Sequence, residues 1–196
     1  MSASPLRDFV QAATRILAQQ QPEAQILAAL RPPLASLLRT DDWLPAELAQ
    51  PHPNVYCQYL LHADALERFS VVSFVWGPGQ KTPVHDHTVW GLIGMLRGAE
   101  IAQPFGHTQG GRLVPRGAAQ HLRPGQIEAV SPSLGDIHQV RNAFDDRTSI
   151  SIHVYGANIG AVQRWVYAED GSRQPFVSGY SNPWVPNLWD RSKDSA

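Results

Sequence analysis

The chain has 196 residues, of which 43% are hydrophobic and 17% charged, a composition that predicts one folded domain and excludes a disordered chain. The formal net charge is −1 and no lysine- or arginine-rich run occurs, so no nucleic-acid partner is expected. No apolar stretch has the length of a bilayer span or the form of a signal peptide, which predicts a cytoplasmic protein without a membrane partner.

A helical segment is predicted for residues 1–50. Apolar residues recur there at the spacing of a helix face, at Leu6, Phe9, Val10, Ala13, Ile16 and Leu17. A second apolar pattern begins near Ala24 and is expected to end at Pro32 and Pro33, because proline lacks the amide hydrogen that a helix interior uses. A short third helix is then expected from Leu34 to Leu38.

Short strands are predicted across residues 51–180. Runs rich in Val, Ile, Tyr, Phe and Trp alternate there with Gly, Pro, Asn and Asp. The predicted strands are Tyr56–His62, Phe69–Trp76, Val84–His87, Leu92–Leu96, Glu100–Phe105, Ala118–Leu122, Ile127–Val130, Gln139–Arg141, Thr148–Tyr155 and Arg164–Tyr167. Strands without helices between them predict an antiparallel sandwich or jelly roll, and the aromatic tail, residues 181–196, is expected to pack along it.

Three histidines are candidate metal ligands. Alternate residues of a strand face the same side, so His85 and His87 can bind one ion while Asp86 points away. His138 follows a turn and opens a later strand, and it is the candidate for the third ligand.

The stretches around these histidines resemble the paired motifs of the cupin superfamily. The resemblance rests on one glycine five residues before the histidine pair, a later glycine, and a second motif with one extra residue after its proline: Gly79, Gly98, Pro132, Gly135, His138 and Asn142. It implies a mainly β cupin (jelly-roll) barrel with a short N-terminal helical segment. Most metal-binding cupins carry a glutamate soon after the histidine pair, whereas here no acid precedes Glu100. Three neutral imidazoles suit iron, zinc, copper and nickel alike, so the ligand type alone does not choose the metal.

A second polar row lies on a predicted strand. Ser151, His153 and Tyr155 alternate with apolar residues and therefore share one face of it. Facing inward, this row can act as a relay in which each group orients the next; facing outward, it is the solvent side of a half-exposed strand.

With a three-histidine site, this row resembles the Ser-x-His-x-Tyr triad of the cysteine dioxygenase family, the thiol dioxygenases. The resemblance implies ferrous iron, Fe(2+), held by the three histidines, with Tyr155 as the active-site tyrosine and Ser151 and His153 positioning it. Animal members cross-link that tyrosine to a cysteine just after the histidine pair, where this sequence has Gly91 and Leu92. The single cysteine, Cys57, lies well before the pair, so no such cross-link is expected; by itself it fits a small buried hydrophobic residue.

Two further residues concern the substrate. Cysteine-specific members carry an arginine on the strand before the metal motif, and Gln58 in its place resembles the bacterial 3-mercaptopropionate dioxygenase subgroup. In that subgroup a later arginine binds the substrate carboxylate, and Arg164 matches it in position. Without the resemblance, Gln58 fits a surface strand residue and Arg164 a surface cation.

The resemblance implies that O₂ oxidises a small thiol carboxylate, preferably 3-mercaptopropionate, to its sulfinic acid. Alternatives are L-cysteine as the thiol, a zinc isomerase or hydrolase on the same fold, and a small-molecule sensor. A monomer or small homo-oligomer is expected.

Overall fold

The computed structural model describes residues 3–182, 184–186 and 188. The chain begins with two helices, α1 (Ser4–Leu17) and α2 (Glu23–Leu37), which pack on each other, and a 3-10 turn, Ala46–Leu48, follows. Neither α1 nor α2 combines the length and apolar character that a helix needs to cross a bilayer.

Helix α2 continues through Pro32 and Pro33, so the predicted break and the separate third helix are wrong. A proline inside a helix costs about 3 kcal/mol or more. Leu30 and Leu34 are fully buried and Leu37 nearly so, and burial of a leucine side chain contributes about 1.5–3 kcal/mol. This leucine face packs on the β-sheet, and its burial is large enough to offset the lost backbone bonds.

Twelve strands follow in the described part of the chain. They are β1 (Cys57–Ala63), β2 (Ser70–Trp76), β3 (Val84–His85), β4 (Gly91–Arg97), β5 (Glu100–His107), β6 (Leu113–Pro115), β7 (Gln120–Leu122), β8 (Ile127–Val130), β9 (His138–Asn142), β10 (Ser149–Tyr155), β11 (Arg164–Tyr167) and β12 (Arg173–Phe176). One sheet has the order β1-β2-β10-β4-β8, and the other has the order β12-β11-β3-β9-β5-β6, with β7 also paired to β5. The sheets form a jelly roll rather than one closed barrel, which confirms the predicted fold class.

Two short strands were not predicted from sequence. Strand β6 has three residues and β12 contains Pro175, so neither carries the alternating apolar pattern that marks a strand. Both are at sheet edges, where β6 pairs with β5 and β12 with β11. Pairing with a neighbour already in place, rather than local preference, makes these segments extended.

The helices brace one wall of the jelly roll. Strand β10 is buried on both faces, and its apolar residues Ile150, Ile152 and Val154 share one hydrophobic core with α1 and α2. The alternate residues of β10 therefore face the space between the sheets. The outward, solvent-facing interpretation of its polar row is wrong.

The start of the C-terminal tail runs along the edge of β1. The Ser181 amide donates to the Gln58 carbonyl at 2.8 Å, and the Asn182 side chain pairs with the backbone of Leu60 at 2.8 and 3.0 Å. Leu188 is buried. Trp184 and Val185 are exposed, and positions 183, 187 and 189–196 of the predicted tail lie outside the described residues.

Candidate metal centre and substrate site

The structure brings the three candidate ligands together. His85 on β3 pairs in register with His138 on β9, and His87 lies two residues beyond His85. Each ring can offer one nitrogen, and these nitrogens all lie within 4.8 Å of one another. No carboxylate belongs to this group in the described part of the chain, and Glu100 lies apart from it on β5.

His87 does not lie on a strand, because β3 ends at His85, so the expected strand running to His87 is wrong. Asp136 orients His87 instead. One carboxylate oxygen of Asp136 accepts from His87 Nδ1 at 2.9 Å, and the other accepts from the amides of His87 and Thr88 at 3.0 and 2.8 Å. Asp136 was not predicted as a site residue; its position two residues before His138 was the available signal.

Hydrogen bonds leave one nitrogen of each ring for a metal. The Nδ1 of His85 donates to the Pro83 carbonyl at 3.1 Å and that of His87 to Asp136, so both Nε2 lone pairs are free. Among the described residues, His138 Nε2 is buried without any hydrogen-bond partner. A buried polar atom without a partner destabilises a fold by about 1–3 kcal/mol, and a metal ion would satisfy it. These residues therefore fit one divalent metal ion.

Burial favours the neutral, metal-binding form of His85 and His138. Burial, together with the nearby His87, lowers the pKa of His85 to about 3. Burial likewise lowers the pKa of His138 well below its usual value. Neutral imidazole is the metal-binding form, so these two ligands need no deprotonation near neutral pH.

We expect the metal-free protein to be less stable at pH 5 than at pH 7. Histidines of the unfolded chain take up protons below about pH 6.5, whereas folded His85 stays neutral down to about pH 3. The free energy of unfolding should therefore fall as the pH drops through that window, by about 2 kcal/mol at pH 5 for each such histidine. Urea unfolding at both pH values measures this. Equal stabilities, or a His85→Gln variant with undiminished pH dependence, would contradict it.

The polar row of β10 forms a continuous chain of hydrogen bonds beside the metal-binding group. Ser151 Oγ lies 2.8 Å from His153 Nε2, and His153 Nδ1 lies 2.8 Å from the Tyr155 hydroxyl. The ring of Phe74 stacks on His153 with centroids 4.1 Å apart. Burial raises the pKa of Tyr155, so its phenol stays protonated, and its ring centroid is 5.5 Å from that of His87.

The position opposite Tyr155 has room only for glycine. Gly91 pairs with Tyr155 across the strands, and a Cβ at Gly91 would lie 2.8 Å from Tyr155 Cδ1. Cys57 is buried in the core that the helices share with the sheet, whereas Tyr155 belongs to a different cluster of buried side chains.

Arg164 and Gln58 are both buried, 3% and 7% exposed, so the surface interpretations are wrong. They meet at Ser178, whose hydroxyl accepts from Gln58 Nε2 at 2.6 Å and from an Arg164 terminal nitrogen. Ser178 was not singled out from sequence, where nothing near it marks a site. The Arg164 guanidinium also lies 4.6 Å from the centre of the Phe176 ring.

Arg164 is a buried cation without an anionic partner in the described part of the chain. Among the described residues it forms no ion pair, and its Nε has no hydrogen-bond partner. Burial lowers the pKa of Arg164, while Tyr155 and Tyr56 raise it, which places all three in one electrostatic neighbourhood. A buried guanidinium with a free Nε donor, close to Tyr155 and Tyr56, fits a carboxylate ligand.

Asp86, between the two histidines, faces away from the metal-binding group as predicted. Its carboxylate accepts from the Trp165 amide at 2.9 Å and from the Tyr167 hydroxyl at 2.7 Å. Asp86 thus ties the histidine segment to β11, the strand that carries Arg164.

Most of the chain matches a known protein family. Residues 1–167 match the family model described as Cysteine dioxygenase type I. Cysteine dioxygenase type 1 of Danio rerio is 30% identical over 93 residues, which are 45% of this chain and 45% of that protein. The match therefore spans less than half the length of this relative.

Two solved structures are also similar in part. An uncharacterised conserved protein with a double-stranded β-helix domain from Klebsiella pneumoniae is 20% identical, with a TM-score of 0.45, over 59% of this chain and 89% of that one. A cupin superfamily protein from Desulfitobacterium hafniense is 13% identical, with a TM-score of 0.44, over 61% and 95%.

Proposed function

The chain belongs to the cysteine dioxygenase type I family, and from that membership we propose that it is a cytoplasmic thiol dioxygenase. The reaction joins both atoms of O₂ to the sulfur of a small thiol carboxylate and gives its sulfinic acid. The observation that carries the proposal is the cluster of three histidines without a carboxylate ligand among the described residues, in the same interior as Arg164, which forms no ion pair with any of them.

The cofactor in this proposal is Fe(2+), held by His85, His87 and His138. Bound ferrous iron supplies the one-electron chemistry that lets O₂ react with a thiol. Three neutral ligands leave the full positive charge of the ion uncompensated, which favours a substrate that binds as a thiolate. A carboxylate ligand would cancel part of that charge.

The substrate carboxylate pairs with Arg164 in this proposal. The guanidinium has a free Nε donor, and Ser178, shared with Gln58, holds its other end. Tyr155 stays protonated because burial raises its pKa, so its hydroxyl can donate to the substrate or to oxygen. Ser151 and His153 hold that hydroxyl in place.

We propose 3-mercaptopropionate over L-cysteine as the preferred thiol. Cysteine adds an ammonium group, and burying it near the Arg164 cation would need an anion to compensate. Asp86 is the carboxylate whose charge acts on Arg164, and both of its oxygens already accept hydrogen bonds from β11. The ratio of kcat/KM for the two thiols tests the preference, and a higher value for cysteine would reverse it.

The proposed reaction predicts where both oxygen atoms of O₂ are incorporated. With isotopically labelled O₂ and iron-loaded protein, we expect both label atoms in one molecule of sulfinate. Mass spectrometry of the product measures this. Incorporation of a single label, or turnover without consumption of O₂, would show a different chemistry and revive the isomerase or hydrolase alternative.

Tyr155→Phe is expected to keep iron bound and to lower kcat by about 100-fold, because it removes one donor aimed at the reacting groups. Iron content and steady-state oxygen consumption measure the two effects separately. Tyr59→Phe is the matched control, since the Tyr59 hydroxyl donates to the Gln50 carbonyl at a part-exposed place away from the site. Equal turnover in the two variants would remove Tyr155 from the mechanism.

A further inference from the structure

Glu100 is a buried acid that the proposed mechanism leaves without a role. It is the first residue of β5, is 2% exposed, and pairs in register with Asn142 of β9. Among the described residues, its Oε1 has no hydrogen-bond partner. Because an unsatisfied buried carboxyl is costly, its position in the interior calls for a physical reason.

Glu100 lies at the far end of the hydrogen-bond chain that leads to Tyr155. Ser151 and Trp76 face its carboxyl, and Trp76 Nε1 also donates to Ser151 Oγ at 3.3 Å. Burial, partly offset by hydrogen bonding from Ser151 and Trp76, raises the pKa of Glu100 to about 7. The order in space is therefore Glu100, Ser151, His153, Tyr155.

Few other ionisable groups face this part of the interior. Strand β10 contributes His153 and Tyr155, β9 contributes His138, and β8 contributes Glu128. From β2 and β7 the facing residues are the uncharged Trp76 and Leu122. The amide of Asn142 is fully engaged with the backbone carbonyls of Trp76, Gly77 and Arg147 and with the hydroxyl of Ser149.

We propose that Glu100 is a positioning residue whose protonation state sets the direction of the hydrogen bonds from Ser151 through His153 to Tyr155. It acts on the reaction only through this chain. The inference deepens the proposed thiol oxidation, because it assigns a control of the tyrosine that the oxidation uses.

With Glu100 protonated, each hydrogen bond in the series from Glu100 to Tyr155 is donated in the direction of the three histidines. The acid donates to Ser151 Oγ, and Ser151 donates to His153 Nε2. His153 then carries its hydrogen on Nδ1 and donates to the Tyr155 oxygen. The Tyr155 hydrogen is free to point at the substrate.

With Glu100 ionised, the directions reverse, because a carboxylate can only accept. Ser151 turns its hydrogen to Glu100, and His153 carries its hydrogen on Nε2 to reach Ser151. Tyr155 must then donate to His153 Nδ1 and is withdrawn from the substrate. The two states differ by one proton, released to solvent; Ser151, His153 and Tyr155 each keep one hydrogen.

A cavity of about 170 Å³ gives this proton a route. Its walls include Glu100 in the interior, Glu128 part-way out and the exposed Gln120 at the surface. A space of this size holds water, which can carry the proton between Glu100 and the surface.

The test is the tautomer of His153, read by NMR of labelled histidine nitrogens in the metal-free protein across pH 6 to 8.5. We expect the wild type to change from Nδ1–H to Nε2–H near pH 7, around the pKa of Glu100. Glu100→Gln should keep Nδ1–H throughout, because its amide donates to Ser151 and cannot ionise. Glu128→Gln, which changes the other acid of the same cavity, should switch like the wild type.

A His153 tautomer that does not change with pH in the wild type overturns the inference, as does an unchanged switch in Glu100→Gln. If Glu100→Gln does not fold, Ser151→Ala gives the second reading, because it breaks the chain and should abolish the switch. In the iron-loaded enzyme, kcat should fall on the alkaline side in the wild type and not in Glu100→Gln. If the tautomer changes with pH but the protein oxidises no thiol, the proposed function is wrong while the control by Glu100 stands.

Discussion

His138→Ala is expected to lower the affinity for ferrous iron by more than about 100-fold and to abolish thiol oxidation. Loss of an outer hydrogen bond to a metal ligand already costs about 10–100-fold in affinity, so loss of the ligand itself costs more. His138 supplies the single ligand from β9. Without it, His85 and His87 bind the ion from one segment only and leave the β9 side of the ion without a protein ligand. Iron content after anaerobic loading and oxygen consumption with a thiol measure both effects.

The matched control is His121→Ala, since His121 is exposed on β7 and outside the ligand cluster. It should bind iron and turn over like the wild type. Loading the wild type with zinc should fill the site without restoring activity, because zinc has no redox chemistry. Full activity in the zinc-loaded protein, or in His138→Ala, would rule out the three-histidine iron site.

Arg164→Ala is expected to lower kcat/KM by about 30- to 1,000-fold, mainly through KM. Removing one partner of a buried, hydrogen-bonded charge pair costs about 2–4 kcal/mol. The effect should fall on KM because the carboxylate is bound equally in the ground and transition states. Steady-state kinetics with 3-mercaptopropionate measure it, and iron content should stay unchanged.

Two variants sharpen the Arg164 experiment. Arg164→Lys keeps the charge but loses the planar fork, so we expect it to recover only part of the affinity. Arg173→Ala removes an exposed guanidinium stacked on Trp165, 4.1 Å from its ring centre, and should leave KM unchanged. A kinetically silent Arg164→Ala would show that another group binds the carboxylate.

Local sequence patterns predict most of the candidate site. The spacing of His85 and His87 and the alternation of Ser151, His153 and Tyr155 are visible within a few residues of chain. The structure places both sets in one interior, although His87 is oriented by Asp136 rather than by strand alternation. Gln58 and Arg164 were found only through resemblance, because neither belongs to a local pattern.

The sequence by itself determined ten of the twelve described strands, the residues that can bind a metal, and the absence of an acidic residue between His87 and Glu100. Tertiary structure alone decided that α2 passes through its prolines, that Ser178 joins Gln58 to Arg164, and that Glu100 reaches Ser151. The physical reason is the separation along the sequence between the residues that interact. Side-chain periodicity is a property of neighbouring residues, whereas burial and hydrogen-bond partners depend on segments that are distant in the chain and meet only when the two sheets pack.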